Sequence, residues 1–234
     1  FTLVVHDSKL SFGLTQLIGG LSFCLGLILV VVAGAELFTG NNLLVMAYVS
    51  KKIKLWQLAE NWTIVYIGNL IGALSMVWWI YISKQWAVNG ALVGAKALMI
   101  ANAKVGLPFL VAFSRGVLCN SLVCLAVWLC MSGRSTTDKI LSILFPITAF
   151  VALGFEHSVA NMYFIPIGFL LKNNPQVLDA VITMTGKAGD FSGLTTQAFF
   201  IKNLVPVTLG NIVGGGVLVG LVYWFAYLRG DRTK

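Results

Sequence analysis

The positions in this sequence where chemistry is possible lie inside apolar runs. Residues 140–171 are largely apolar but are interrupted by Glu156-His157-Ser158. An imidazole at such a break can hydrogen-bond an anion and can titrate near neutral pH. Ionisable groups at membrane depth are costly and read as functional by default. Glu156 reads differently, because a carboxylate in the path would repel an anion, so it is expected to accept hydrogen bonds around the break. Glu36 is read the same way. Thr39, Gly40, Asn41 and Asn42 follow Leu37-Phe38 and form a polar cluster. That cluster either caps an interrupted helix or offers donors to an anion. Lys104 precedes the next apolar run, where a cation raises the local anion concentration. Arg115 lies deeper in that run and suits either a pore or a subunit interface.

No catalytic set accompanies these residues. The sequence has no glycine-rich phosphate loop and no nucleotide motif. Its two histidines, His6 and His157, are far apart and lack partners at metal-ligand spacing. Neither a metal nor a cofactor is expected, and the chain does not read as an enzyme. Cys24, Cys119, Cys124 and Cys130 fall inside apolar runs without paired spacing and read as packing residues.

The elements that hold these residues follow from composition. With 58% hydrophobic and 10% charged residues over 234 positions, and a mean hydropathy of +0.89, a water-soluble domain would lack polar surface. The sequence therefore predicts an all-α integral membrane protein, a single domain over 1–234. Its spans are expected at about 14–50 (broken), 60–83, 105–131, 138–171 (broken) and 203–228, each near the roughly 20 residues a bilayer requires. The net charge of +8 comes from short basic segments without a continuous stripe, which argues against nucleic acid. Lys51, Lys52 and Lys54, then Arg134 and Lys139, then Arg229, Arg232 and Lys234 are dense in three short segments, which places that side and the C-terminus in the cytoplasm. Lys84, Lys96, Lys104, Lys172, Lys187 and Lys202 are assigned to longer loops opposite. Phe1 to Val5 reads as the tail of an earlier spanning helix.

A repeat organises the spans. Asn61, Gly68, Asn69 and Gly72 recur as Asn203, Gly210, Asn211 and Gly214 at the same spacing, and each set follows a broken span containing Glu36 or Glu156. Each repeat unit is a broken span with the span after it, and the single span at 105–131 between the two units reverses the second, so the repeats are inverted in topology. Such repeats place a substrate path near the midplane, where discontinuous helices aim their ends at the ion. The glycines also suit close helix packing.

At Ala35-Glu-Leu-Phe-Thr39, Gly68-Asn69, Ser132-Gly-Arg-Ser135, Gly154-Phe-Glu-His-Ser-Val-Ala-Asn-Met162 and Gly210-Asn-Ile-Val-Gly-Gly-Gly216, the sequence resembles the formate/nitrite transporter family, closest to its formate-channel branch. The resemblance begins near the end of the first family helix. It implies an aquaporin-like fold of six helices, assembled as a homopentamer with one pore per protomer in the bacterial inner membrane. It makes His157 the central pore histidine and Thr39 its hydrogen-bonding neighbour. Phe23, Leu27, Leu37, Phe38, Val123 and Phe150 become apolar constrictions, and Lys104, Asn120 and Glu156 a group acting on the histidine. The implied cargo is a small monovalent weak-acid anion, formate first, taking a proton near His157 and crossing a dry constriction as the neutral acid. Nitrite and hydrosulfide channels share the family, and a proton-coupled monocarboxylate carrier fits the same histidine. An aquaporin would need two Asn-Pro-Ala motifs, and this chain has only Asn174-Pro175.

Overall fold

The computed structural model describes residues 1–6 and 10–229. A short turn, α1 (Thr2–Val5), precedes α2 (Phe12–Ala33), which Ser11 caps through its hydroxyl. After an extended stretch the chain resumes as α3 (Phe38–Asn41), a 3₁₀ turn (Asn42–Leu44) and α4 (Val45–Val49). Then come α5 (Leu55–Ile82), α6 (Leu92–Val105) and α7 (Phe109–Ser132). The second broken span is α8 (Thr136–Ala152) followed by α9 (Ser158–Leu171). The short α10 (Pro175–Thr185) and the long α11 (Ala198–Leu228) complete the fold.

Helices α2, α5, α7 and α11 are each long and apolar enough to cross a membrane. The chain breaks at 34–37 and at 153–157, with Thr39 just past the first break inside α3, and local chemistry explains both. Gly34 and Gly154 sit just past α2 and α8 at φ +79° and +67°, in the left-handed region that glycine enters without steric cost. Helix α8 is started by a reciprocal box, in which Ser135 Oγ accepts from Asp138 N at 3.1 Å and Asp138 Oδ2 accepts from Ser135 N at 2.9 Å.

Two helices were not anticipated. The segments around Lys96 and Lys104, and around Asp179, read as outer loops, yet they contain α6 and α10. Helix α6 is too short to span a membrane and carries two lysines. Its opposite face, Gly94, Ala95, Ala97, Leu98 and Ala101, is buried against α9. A stripe of small residues gives little hydropathy signal and permits close approach. Lys96 and Lys104 therefore project from a helix rather than from a loop.

The core forms around two main groups. One joins α6, α9 and α10 through Leu98, Met162, Ile165, Leu171, Val177 and Val181. The other joins α2, α7 and α8 through Leu27, Val123, Ala126, Ile143, Ile147 and Phe150. At one end of the molecule Trp224 Nε1 donates to Ser50 Oγ at 2.9 Å, and Trp128 meets Tyr223 with ring centroids 5.0 Å apart. These contacts bring the ends of α4, α7 and α11 together, and with them the basic segments at Lys51–Lys54, Arg134–Lys139 and Arg229. Arg232 and Lys234, also counted in the orientation argument, lie outside the described residues.

The glycines of the second repeat copy pack backbone on backbone. A methyl group on Gly214 would collide with the Val117 carbonyl, and one on Gly210 with that of Phe113, whereas Gly68 and Gly72 meet nothing within 4 Å. Gly214→Ala is accordingly expected to cost about 1–3 kcal/mol by overpacking, read as a lower thermal midpoint in detergent. On the outer surface, Asp190 Oδ1 accepts from Ser192 N at 2.9 Å and the Asp190 carbonyl accepts from Asn102 Nδ2 at 3.0 Å. The Ser192 hydrogen bonds hold the Asp190 carboxyl below the usual range. The tether is therefore complete above about pH 4 and is lost as pH falls through the depressed pKa. The protection of the Ser192 amide, its exchange relative to an unstructured amide at the same pH, should fall below that point in the wild type, and Asp190→Ala should show the lower protection already at neutral pH.

Candidate functional site

His157 stands at the first residue before α9, in an extended conformation that takes its side chain out of the helical path. Its Nδ1 accepts from the backbone N–H of Ala160 at 3.0 Å, capping the helix as Ser or Asp usually does. Nδ1 is thereby committed as an acceptor, so the proton of the neutral ring is assigned to Nε2. Nε2–H then donates to Thr39 Oγ1 at 2.8 Å. Thr39 accepts that bond and makes no other side-chain hydrogen bond among the described residues, so its own O–H is free to donate. Both residues are buried, at 7% and 0% exposure.

Several backbone groups around His157 find partners across the fold, as a helix break away from bulk water requires. Glu156 N donates to the Arg115 carbonyl at 3.3 Å. Asn211 clips the two peptides on either side of the histidine. Its Nδ2 donates to the Glu156 carbonyl at 3.0 Å, and its Oδ1 accepts from Ser158 N at 2.9 Å. A second bond from Asn211 Nδ2 reaches the Gly116 carbonyl at 2.8 Å and anchors the clip to α7.

The Glu156 side chain turns away from the histidine, as its expected role requires. Oε1 accepts from Lys104 Nζ at 2.8 Å, and Oε2 accepts from Asn161 Nδ2 at 2.7 Å and from Asn203 Nδ2 at 3.3 Å. The ion pair is well buried, with side-chain exposures of 15% for Lys104 and 4% for Glu156. Asn203 Nδ2 also donates to the Lys104 carbonyl at 3.0 Å. Asn120 sits on the other side of Thr39. Its Nδ2 lies 3.1 Å from the Thr39 carbonyl, 2.8 Å from Asn42 Oδ1 and 2.7 Å from the Asn211 carbonyl. Asn120 thus ties the first break to α11.

Two cavities meet at the histidine. The outer one, of about 350 Å³, is walled in part by Lys96, Lys104, Arg115 and Glu156. The inner one, of about 180 Å³, is almost wholly apolar, with Leu27, Leu37, Val123 and Ile147 in its wall. Phe23, Phe150, His157 and Ala160 line both. Phe23 meets Phe150 edge-on with centroids 5.8 Å apart, and Phe150 stacks on His157 at 6.0 Å. The waist between the cavities is therefore two phenyl rings and one imidazole.

The residues singled out in the sequence distribute around this waist. Phe23, Leu27, Leu37, Val123, Phe150 and His157 line the cavities, Thr39 bonds the histidine, and Lys104, Glu156 and Asn120 support it. Phe38 stands apart from both cavity walls. It is buried edge-on against Tyr66 and Trp62, with centroids 4.9 and 6.1 Å away. Arg115, which the sequence left between pore and interface, lines the outer cavity, and its side chain has no partner among the described residues. Asn161, Asn203 and Asn211 were missed as site residues. The repeat had already marked Asn203 and Asn211 by their spacing, but gave them no hydrogen-bonding role.

The comparisons with known proteins follow this geometry. The family model for formate/nitrite transporters matches residues 1–225. The chain is 47% identical to the formate channel FocA of Escherichia coli, over 97% of this chain and 80% of that protein. It is 42% identical to the formate channel FocA of Haemophilus influenzae, over 89% of this chain and 73% of that one. Among solved structures, a pentameric formate channel with formate bound superposes with a TM-score of 0.87 at 43% identity, covering 97% of this chain and 89% of that chain. An ion channel of the same family gives 0.79 at 30% identity, covering 96% and 83%. The chain belongs to the formate/nitrite transporter family.

Proposed function

We propose that this chain is one protomer of a homopentameric channel that passes small monovalent weak-acid anions, formate first, through the bacterial cytoplasmic membrane. It works as a single transmembrane domain with its C-terminus in the cytoplasm, and it moves its cargo without chemical conversion. The observation that carries this reading is the bond from His157 Nε2–H to Thr39 Oγ1 at 2.8 Å, placed at the waist between a cationic cavity and an apolar one.

Each part has a task in that reading. The lysines and Arg115 of the outer cavity raise the concentration of formate at its mouth. Lys104 is neutralised by Glu156, so the charge that draws the anion inward comes chiefly from Lys96 and Arg115. At the waist the imidazole, which lines both cavities, is the polar surface a carboxylate meets, held by Ala160 N on one nitrogen and by Thr39, fully buried behind it, on the other. A chain of two hydrogen bonds polarises both members. Beyond the waist the wall offers no donors, and a bare anion meets the full cost of desolvation. Formate and one proton, delivered by the water of the outer cavity, combine at the waist and cross as the neutral acid, which is the joint cargo of anion and proton expected from sequence.

The test is flux into liposomes of the purified protein, comparing formate, nitrite, hydrosulfide and chloride across pH. The wild type should pass formate rapidly and chloride poorly. His157→Phe should lower formate flux by at least about tenfold, or about 1.4 kcal/mol; an unchanged rate would defeat the reading. Lys104→Met leaves Glu156 buried without its cation and should destabilise the protein by about 3–5 kcal/mol. Adding Glu156→Gln to that variant should recover most of the loss, measured as the thermal midpoint of the assembled protein.

A further inference from the structure

The second break, around His157, has a counterpart at the first that repeats its asparagine clip and the bonds of its capping asparagine. Asn69 Nδ2 donates to the Glu36 carbonyl at 3.0 Å, and Asn69 Oδ1 accepts from Phe38 N at 2.9 Å. Asn69 thus clips the two peptides on either side of Leu37, as Asn211 clips those on either side of His157. Asn41 Nδ2 donates to Glu36 Oε2 at 2.6 Å and to Asn61 Oδ1 at 2.9 Å. Asn161 Nδ2 makes the same two bonds, to Glu156 Oε2 and to Asn203 Oδ1, both at 2.7 Å. Even the first helical bonds agree, for Asn41 N donates to the Leu37 carbonyl and Asn161 N to the His157 carbonyl, each at 2.9 Å.

The match has two gaps. Leu37 stands where the second break has His157, and Glu36 is exposed with no lysine in the place of Lys104 among the described residues. What the first clip fixes is therefore not a titratable ring but the short helix α3 that starts beside it. Thr39 is the second residue of α3, one peptide beyond the Phe38 N–H that Asn69 holds. Asn69 itself lies on α5, outside the walls of both cavities that meet at His157.

We propose that Asn69, supported by Glu36, Asn41 and Asn61, is a positioning residue for the pore, setting the Thr39 hydroxyl against His157 through the backbone of α3. The hydrogen bond at the waist is thus aimed from both repeats: Asn211 orients the donor and Asn69 the acceptor. The transport consequence rests on the formate-channel reading, but the geometric claim does not.

The experiment reads the two separately. Protein labelled with ¹⁵N-histidine and carrying His6→Ala is reconstituted in bilayers, and the Nε2–H resonance of His157 is recorded for the parent, Asn69→Leu, Thr39→Ala and the double variant. Asn69→Leu should move the resonance toward its position in Thr39→Ala, and the double variant should coincide with Thr39→Ala. A resonance unmoved by Asn69→Leu overturns the proposal whatever the cargo is. Formate flux across pH is measured on the same samples. Asn69→Leu should lower flux by about tenfold in the parent and by less than about twofold in the Thr39→Ala background, the non-additivity expected of coupled residues. Equal losses in both backgrounds overturn the proposal. Should Asn69→Leu not assemble, Asn69→Asp keeps the acceptor for Phe38 N–H and loses only the donor to Glu36. Failure of both to assemble makes the clip purely structural and the proposal wrong.

Discussion

A helix that stops inside a membrane leaves amide and carbonyl groups that no bulk water can satisfy, and each such group costs several kcal/mol if left alone. This constraint governs the whole site. The chain must stop twice within the membrane to open a path at its midplane, so it must supply partners for two sets of broken backbone. Asparagine suits the task because one side chain both donates and accepts. Asn211 takes one carbonyl and one N–H across a single residue and holds the peptides on either side of that residue, His157, while its ring bonds Ala160 N and Thr39 Oγ1. Another amide of the α9 start, Ala160 N, is taken by the ring itself. Backbone satisfaction and side-chain presentation are here the same set of bonds.

Charge placement follows from that arrangement. Glu156 adjoins the histidine in sequence, and an unbalanced carboxylate there would oppose an anion. Lys104 Nζ at 2.8 Å, with Asn161 and Asn203 on the other oxygen, makes the pair nearly neutral when seen from the pore. A buried ion pair is weak support for stability, since desolvation offsets most of its attraction. Its value here is structural and electrostatic at once. It joins α6, α9 and α11 just behind the histidine, and it keeps the waist free of net charge while Lys96 and Arg115 supply positive potential farther out.

Much of this was legible in the sequence because membrane solvent makes certain residues conspicuous. Glu156-His157-Ser158 could not sit in an apolar run without a reason, and Leu37, Phe23 and Phe150 fall into the cavity walls as the family resemblance implied. The breaks were visible for the same reason. What stayed hidden was whatever the apolar pattern does not encode. Helix α6 is invisible to a hydropathy argument because its buried face is glycine and alanine and its other face carries Lys96 and Lys104. Phe38 reads like a second gate beside Leu37, yet one residue's rotation around the start of α3 turns its ring onto Tyr66 and Trp62. Asn203 and Asn211 were noticed only through their spacing to glycines. That they hold backbone rather than fill a helix interface depends on partners 42 and 53 residues away, which spacing within one segment cannot report.

The unequal residues at two equal breaks are the most informative feature of the site. Inverted repeats make both breaks necessary, because each half-membrane path needs its own interruption. The chemistry, however, needs a polar donor at only one depth. A second imidazole at Leu37 would bring another buried polar ring into the inner cavity, where Val123, Leu27 and Ile147 offer it no partner, and an unpartnered polar group there costs more than it contributes. Leucine keeps the inner wall apolar and leaves His157, bonded to Thr39, as the polar ring at the boundary of the two cavities. The lysine accompanies the histidine for the same reason: Glu156 is buried and requires a cation, while Glu36 is exposed and does not. The repeat supplies a common scaffold, and the two copies differ at the few positions, Leu37 against His157 and an exposed against a buried glutamate, that make one break apolar and the other polar.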